Sequence, residues 1–317
     1  MIKKRNTAYK KEEFRDLGFG AKVASQRQRL INRDGSFNVE RTGQSFFERF
    51  SPYHYLVSIS WLRFNAFVVC AYLVINILFA FLYMAFGVDH ISAEHTFFFH
   101  DFLNSFFFSV QTFTTVGYGR LNPTGDIESF IAGIESLTGL MGFALATGLL
   151  YGRFSRPNAK IIYSNNAIIA PYKDVTAFEF RIANARDNQL IEVDIQVMLS
   201  MKNISKGREG KRVFHNLQLE RQRVTFFSLT WTIVHPIDNE SPLNGMTEKE
   251  FKEADAEFLI LLKAFDDTFS QTVHSRSSYK YNEVIWGASF KSVYLDSPTG
   301  ISTIDMRIIH EIEKAKI

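Results

Sequence analysis

Cysteine is almost absent from this sequence, since Cys70 is the only one in 317 residues. A single thiol excludes both an intrachain disulfide and a metal centre built from several cysteines. A large charge of one sign is also lacking: the formal net charge is +3 and no long basic run is interleaved with aromatic residues, so nucleic acid is not an expected partner. Residues 1–60 contain no apolar core of a signal peptide, and we expect the N-terminus to stay in the cytoplasm.

Patterns that carry catalysis are missing as well. The histidines of the C-terminal part show neither metal-ligand nor nucleophile–base spacing; they are His215, His235, His274 and His310. We therefore expect structural roles for these side chains, no enzymatic activity and no cofactor. No glycine-rich strand-to-helix turn follows Arg153, which argues against a nucleotide sensor.

Apolar residues, by contrast, are plentiful and unevenly distributed. They make up 46% of the chain, with 32 phenylalanines, and concentrate between Trp61 and Phe154. Residues 64–86 carry no charge and would span about 35 Å as a helix, enough to cross a bilayer. Residues 130–151 carry one charge, Glu135, and several small residues that allow close helix packing in lipid. The sequence predicts two transmembrane helices.

A shorter apolar stretch, residues 100–112, lies between these spans and is too short to cross. We predict a re-entrant helix, capped at its start by Asp101, that leads into the motif TTVGYGR at residues 114–120. Glycine tolerates backbone angles that strain other residues, so Gly117 and Gly119 allow neighbouring carbonyls to point the same way. Irregular backbone at membrane depth requires surrounding protein or a water-filled cavity, which indicates a pore.

The loop suits a potassium filter, because carbonyl dipoles replace the hydration shell of the ion without adding a fixed charge that would trap it. The predicted K+ sites are formed by the carbonyls of Thr115, Val116, Gly117 and Tyr118 with the Thr115 hydroxyl, and Gly119 completes the loop. One chain cannot surround an ion. We therefore expect a homotetramer with fourfold symmetry, in which K+ is only the permeant ion.

Two sets of residues in the second span are candidates for support and gating. Glu135 is an ionisable group inside a membrane helix, and we expect it to hold the filter scaffold with Arg120 or pore-helix groups. Phe143, Thr147 and Tyr151 are spaced by four and share a helix face. If this face lines the axis, Tyr151 forms a hydrophobic constriction that gates by dewetting; the alternative is packing against the first span.

Basic residues flank the spans on one side and predict the orientation. Arg41, Arg49 and Arg63 precede the first span, and Arg153, Arg156 and Lys160 follow the second, whereas residues 87–128 contain only Arg120 against five acidic residues. Both termini are therefore expected in the cytoplasm, in a multi-pass protein of the bacterial inner membrane. The predicted anionic-lipid contacts are Arg49, Arg153, Arg156 and Lys160, although the orientation rule alone would also explain these residues.

The regions outside the spans have their own patterns. Aromatic residues near helical spacing at 46–60 predict an amphipathic helix in the membrane interface, with an ordinary linker as the alternative. After Pro157, short alternating runs such as QLIEVDIQVMLS, at residues 189–200, predict the half-buried strands of a β-sandwich. The predicted organisation is a cytoplasmic N-terminal segment (1–45), an interfacial helix (46–60), a pore domain (61–156) and a cytoplasmic all-β domain (157–317).

The motifs TTVGYG, GLLYGRFSRPNAK, FSLTWTIVHPIDNESPL and NEVIWGASF together resemble the inward-rectifier potassium channels, in particular their prokaryotic KirBac branch. This resemblance implies a cytoplasmic immunoglobulin-like domain, tetramerisation, an interfacial slide helix at about residues 46–59 and control of gating by lipids. It places the pore-narrowing ring at Tyr151. Phe143 stands where strong rectifiers carry an acidic residue and Gln111 where animal members carry a glutamate, so we expect only weak block by intracellular Mg2+ or polyamines.

Two other functions remain open from the residues themselves. One is a membrane-anchored β-sandwich binding module that does not conduct ions. The other is a weakly selective cation channel. The re-entrant helix and the complete TVGYG motif favour the potassium channel, because a membrane anchor requires neither.

Overall fold

The protein is described by a computed structural model that covers residues 13–14, 18, 28–40, 42–43, 45, 51–87, 97–155, 159–186, 188–202, 212–227, 229–295 and 303–316. The chain divides into two compact units, one of residues 42–156 and one that combines residues 1–41 with 157–317. Most of the predicted N-terminal segment, residues 1–45, thus belongs to the unit that contains the C-terminal β-rich part.

The membrane unit is built from helices α1 (Pro52–Ser58), α2 (Trp61–Gly87), α3 (Phe98–Phe113) and α4 (Asp126–Phe154). Helices α2 and α4 are long and apolar enough to cross a membrane, as predicted, but both extend beyond the predicted ranges. Acidic residues in the first turn of α4 and a basic residue in its last turn suit the helix dipole, so the helix continues past its apolar run; they are Asp126, Glu128 and Arg153.

The short helix between the spans begins slightly earlier than predicted. Phe97 occupies the N-cap position of α3, and Asp101 lies within the first turn, so the prediction that Asp101 caps the helix was wrong. An acid in the first turn is still favourable for the helix dipole. The other end of α3 lies against α4, since a Cβ atom added to Gly139 would overlap the carbonyl group of Phe113.

Part of the range predicted for the interfacial helix is described by the structure. Helix α1 begins with Pro52, whose fixed φ angle and missing N–H suit a first helical position, and ends at Ser58. The first part of the predicted range, residues 46–50 with Arg49, lies outside the described residues. Of the described part, Val57 is buried, while Tyr53 and Tyr55 are exposed.

The second unit contains fifteen described strands, one short α-helix, α5 (Glu248–Glu253), and two 3-10 helices, Tyr281–Glu283 and Met306–Ile308. In chain order the strands are β1 (Glu13–Phe14), β2 (Ile161–Tyr163), β3 (Ala167–Tyr172), β4 (Val175–Asn184), β5 (Leu190–Lys202), β6 (Arg212–Asn216), β7 (Arg223–Phe227), β8 (Thr230–Ile237), β9 (Glu257–Asp266), β10 (Gln271–Lys280), β11 (Val284–Trp286), β12 (Ala288–Phe290), β13 (Tyr294–Leu295), β14 (Thr303–Ile304) and β15 (Ile312–Lys314).

Two sheets form the predicted sandwich. One has the order β1-β6-β5-β9-β10 with β7 also paired to β5, and the other has the order β11-β3-β4-β2 with β8 paired to β4. Pairing within them is antiparallel except between β11 and β3. Buried apolar side chains from both sheets meet in one core, where the rings of Phe178 and Phe258 stack with centroids 3.9 Å apart.

Strand β5 shows where simple alternation fails. Its buried series runs through Val193, Ile195, Val197 and Leu199, as predicted. Before them, however, a bulge lies between Ile191 and Asp194, and Glu192 has a φ of 50°. An extra residue in one strand reverses the in–out phase, so Leu190 is buried in place of Ile191.

The N-terminal segment is fastened to the β-sandwich by charged groups. The Arg29 guanidinium donates to both carboxylate oxygens of Glu283, at 2.9 and 3.0 Å. The backbone N–H of Leu30 donates to the fully buried Glu257 carboxylate at 3.0 Å. Hydrogen bonds to a charged partner are stronger than neutral ones, and this segment therefore forms part of the unit.

Candidate ion-conduction site

The glycine loop after α3 has an alternating backbone. Thr115, Gly117 and Gly119 have φ angles of 60°, 52° and 78°, whereas the residues between them are not in the positive-φ region. A β-branched residue such as Thr115 at positive φ is a strong outlier that the surrounding structure must impose. Positive φ at every second residue is the backbone pattern expected of a loop whose successive carbonyls point to the same side, as predicted for an ion filter.

The start of the loop is fixed to the end of α3. The N–H of Val116 donates to the Gln111 carbonyl at 2.9 Å, and the N–H of Thr115 donates to the Thr112 carbonyl at 3.1 Å. Farther along, Tyr118 is 80% exposed in the isolated chain. A large aromatic side chain at membrane depth that its own chain leaves uncovered is consistent with a loop that packs against further copies.

Behind the loop, three membrane helices converge on Glu135. Its carboxylate is fully buried on α4, where Tyr83 of α2 donates to it at 2.6 Å and Ser109 of α3 forms a second, short hydrogen bond. The Ser109 hydroxyl also lies 3.0 Å from the side-chain oxygen of Asn76 on α2. The two spans and the pore helix are thus linked through one buried polar cluster, and each member is hydrogen-bonded as a buried polar group requires.

The structure decides between the two alternative partners expected for Glu135. The pore-helix partner is Ser109, while Arg120 is exposed and is not among the hydrogen-bond partners of Glu135. Sequence reasoning missed Tyr83 and Asn76. Their signal was present, because both are polar side chains in an apolar span and such groups require partners in lipid.

The proposed pore-lining face of α4 is uncovered in the single chain. Phe143 is 76% exposed, Tyr151 is 74% exposed and Thr147 is also exposed. These exposures argue against the alternative that the three side chains pack against α2. The packing face instead includes Gly142, where an added Cβ would lie 3.4 Å from the Phe113 ring.

The basic residues that follow Tyr151 in the sequence have different environments. The Arg153 guanidinium donates from Nη1 to the Leu56 carbonyl at 2.6 Å and from Nη2 to the Ile59 carbonyl at 2.7 Å. Its guanidinium is therefore directed at backbone carbonyls of its own chain. Lys160 is exposed, and Arg156 lies outside the described residues.

Comparisons with known proteins agree with this architecture. Residues 67–156 match the ion channel family model, and residues 161–317 match that of the inward rectifier potassium channel C-terminal domain. The chain is 38% identical to inward rectifier potassium channel Kirbac3.1 of Paramagnetospirillum magnetotacticum over 92% of its own length and 98% of that protein. It is 24% identical to ATP-sensitive inward rectifier potassium channel 12 of Mus musculus, over 88% and 71% of the two chains.

A solved structure with some likeness is Spo0M, a sporulation control protein from Bacillus subtilis. It is 9% identical, covers 41% of this chain and 50% of its own, and has a TM-score of 0.23, which is too low to support a conclusion.

Two candidate membrane spans, a re-entrant helix with a glycine loop and a β-sandwich, together with these matches, define a membrane-embedded potassium channel subunit. The chain belongs to the inward rectifier potassium channel family. Channels of this family are tetramers, and we describe the chain as one subunit of such an assembly.

Proposed function

We propose that four copies of the 115–119 loop form the potassium filter, with the carbonyls of Thr115, Val116, Gly117 and Tyr118 as successive ion sites. The observation that carries this proposal is the alternation of positive and negative φ from Thr115 to Gly119. The alternation turns the carbonyls to one side of the loop, and a fourfold arrangement closes them into rings that replace the water around K+.

The buried cluster at Glu135 gives the loop a rigid support. Selectivity requires that the rings keep their diameter, and the hydrogen bonds from Tyr83 and Ser109 to Glu135 tie the pore helix to both spans. The carbonyl oxygens then keep their positions when they replace the water molecules around an entering ion. Of the two alternatives expected for Glu135, Arg120 or pore-helix groups, the hydrogen bond to Ser109 supports the second.

The gate of the channel is proposed at Tyr151. Its ring is exposed near the cytoplasmic end of α4, two helical turns beyond Phe143, and four such rings around an axis narrow the pore to an apolar constriction. An apolar constriction closes by dewetting. Phe143 places no carboxylate in the pore, and only weak block by Mg2+ or polyamines follows.

Anionic lipids are proposed to act through the remaining basic residues, Lys160, Arg156 and Arg49. Lys160 is exposed, and the negative surface of a leaflet stabilises each nearby basic residue by about 1 kcal/mol. Arg153 is not included because its guanidinium is bound to carbonyls of its own chain.

Ion flux into liposomes tests the filter. The wild type should take up K+ far faster than Na+, and Ba2+ should block the uptake. Gly117→Ala places a side chain at a φ of 52°, which costs about 1–2 kcal/mol in each of the four loops and should abolish selective uptake. Gly133→Ala is the matched control, since nothing lies within 4 Å of the added Cβ and its φ is ordinary.

The results of these flux measurements test the proposed filter and the proposed gate separately. Equal K+ and Na+ uptake by the wild type, or unchanged selectivity in Gly117→Ala, would contradict the proposed filter. Tyr151→Ala removes the apolar ring and should raise K+ uptake without loss of selectivity. An unchanged rate in that variant would remove Tyr151 from the gate and leave the filter proposal intact.

A further inference from the structure

A small cavity opens in the β-sandwich where strands β6 and β7 separate along β5. Strand β9 pairs with one edge of β5 over residues 190–200, so β6 and β7 must share the other edge. There β7 pairs as far as Asp194, and β6 begins to pair at Met198. The interrupted pairing between these two positions leaves a cavity of about 220 Å³ on the sheet.

Residues 217–222, which connect β6 to β7, form one wall of this cavity. Their backbone is held against β5 at both ends. The N–H of Ile195 donates to the Gln222 carbonyl at 2.9 Å, and the N–H of Leu217 donates to the Val197 carbonyl at 2.8 Å. The wall is therefore fixed by the main chain, and the cavity is already formed in the folded protein.

The side chains around the cavity combine an apolar floor with a polar rim. Ile195 and Leu217 are buried, and each is 1% exposed. The rim carries one carboxylate and three carboxamides, from Asp194, Gln196, Asn216 and Gln222. None of these four side chains is hydrogen-bonded to a residue in the described part of the chain. Because a carboxamide both donates and accepts, the rim can bind a ligand that carries groups of either kind.

Charges of both signs lie at the cavity. Asp194 is in register between Arg223 of β7 and Lys263 of β9, yet it forms no ion pair with either. Arg223 directly follows Gln222 of the cavity wall and is paired with Glu192 at 3.1 Å, where both side chains are more than half exposed. Exposed ion pairs contribute little stability, so the guanidinium can exchange Glu192 for another carboxylate.

The size of the cavity selects the kind of ligand. A volume of about 220 Å³ corresponds to roughly seven water molecules at about 30 Å³ each, which is far more than a bare metal ion occupies. Among the described residues no group of three metal-binding side chains exists. A small organic molecule with opposite charges close together therefore fits the cavity better than a metal ion.

We propose that this cavity binds a small zwitterion of the α-amino acid type. Its ammonium group contacts the Asp194 carboxylate, and its carboxylate is bound by the Arg223 guanidinium, whose planar fork matches a carboxylate. The three carboxamides of the rim bind the polar groups that remain. The site lies wholly within the β-rich unit and gives the channel subunit a soluble ligand in addition to its permeant ion.

Calorimetry on the full-length wild-type channel in detergent tests the proposal. Each standard L-amino acid is titrated separately, and at least one should bind. The tightest binder is then compared with two analogues of nearly the same size, one without the ammonium group and one without the carboxylate. For glutamine these are glutaramic acid and 4-aminobutanamide. Each analogue should bind at least about tenfold more weakly, because a charge-assisted hydrogen bond is lost.

Variants locate the site. Asp194→Asn and Arg223→Gln should each weaken binding of the same amino acid by at least about tenfold. Asp174→Asn and Arg221→Gln are the matched controls, since they remove the same charges from exposed residues that do not line the cavity, and both should bind as the wild type does.

Three results would overturn the proposal. If no amino acid binds the wild type, the cavity is not a zwitterion site. Equal affinity for the analogue without a carboxylate would show that only the positive charge is recognised, and unchanged affinity in Asp194→Asn would place the ligand elsewhere. The analogue comparison uses the wild type and does not depend on how the variants fold. None of these measurements involves ion flux, so their failure would leave the proposed filter and gate untouched.

Discussion

Removal of one hydroxyl behind the filter should weaken potassium selectivity. Tyr83→Phe keeps the ring, whose centroid lies 4.9 Å from that of Phe108, and deletes the 2.6 Å hydrogen bond to the Glu135 carboxylate. Both side chains are 0% exposed, so water does not replace the lost donor. A hydrogen bond to a charged group contributes about 1.5–3 kcal/mol, and an unsatisfied buried acceptor costs a similar amount.

This magnitude sets the expected result. At about 1.4 kcal/mol per tenfold, the loss shifts the balance between the intact and the distorted scaffold by roughly 10- to 150-fold in each subunit. We expect the K+ to Na+ permeability ratio, measured from reversal potentials in planar bilayers, to fall by at least about tenfold. The tetramer should also dissociate at a lower temperature, because α2, α3 and α4 lose their common polar link.

A second tyrosine of the same helix supplies the control. Tyr72→Phe likewise removes one hydroxyl from α2 and retains a ring, which packs edge-on to Phe113 at 5.7 Å, and it should behave as the wild type. If Tyr83→Phe and Tyr72→Phe show the same selectivity and the same heat stability as the wild type, the Glu135 cluster does not support the filter and the reasoning is refuted.

Three further predictions concern packing, pH and the N-terminal segment. Gly139→Ala overlaps the Phe113 carbonyl, so K+ uptake should fall sharply, and uptake equal to that of Gly133→Ala would contradict this close approach. Burial lowers the pKa of His235, so its native form is neutral and the unfolding temperature of the cytoplasmic unit should drop as pH falls below about 6.5. That drop should be smaller in His235→Gln, and equal drops in variant and wild type would rule out His235 as a cause. Glu257→Gln removes the charged acceptor of the Leu30 amide, whose hydrogen exchange should become at least about tenfold faster; unchanged exchange would show that the segment is held elsewhere.

The spans and the sandwich were predictable because hydrophobic periodicity reports burial directly. An uncharged run of the right length leaves few alternatives to a membrane helix, and both predicted spans correspond to helices long enough to cross. Alternation in β5 predicted its buried series from Val193 onward. The prediction from alternation was wrong at Ile191, because a bulge lies between Ile191 and Asp194. A bulge depends on how the strand pairs with its neighbours, and the alternation of residues within the strand does not reveal it.

The polar cluster that supports the filter shows which contacts the sequence alone does not reveal. An ionisable residue in a span identifies Glu135 as a candidate from sequence alone, because burial of a carboxylate in lipid is costly. Its partners could not be chosen, since Ser109 and Tyr83 lie 26 and 52 positions away along the chain. Arg120 and the pore helix were both expected as sources of a partner; Ser109 of the pore helix is one, and Arg120 is exposed.

Sequence by itself determined the class of this protein: two membrane spans, a glycine loop whose backbone suits K+, and a separate β-rich domain. These follow from composition, length and the conformational range of glycine, which act locally along the chain. Tertiary structure alone decided that Arg153 faces the carbonyls of Leu56 and Ile59 and that Glu257 holds the N-terminal segment. A charged side chain shows its sign in the sequence, but its partner is fixed only when distant segments fold against it.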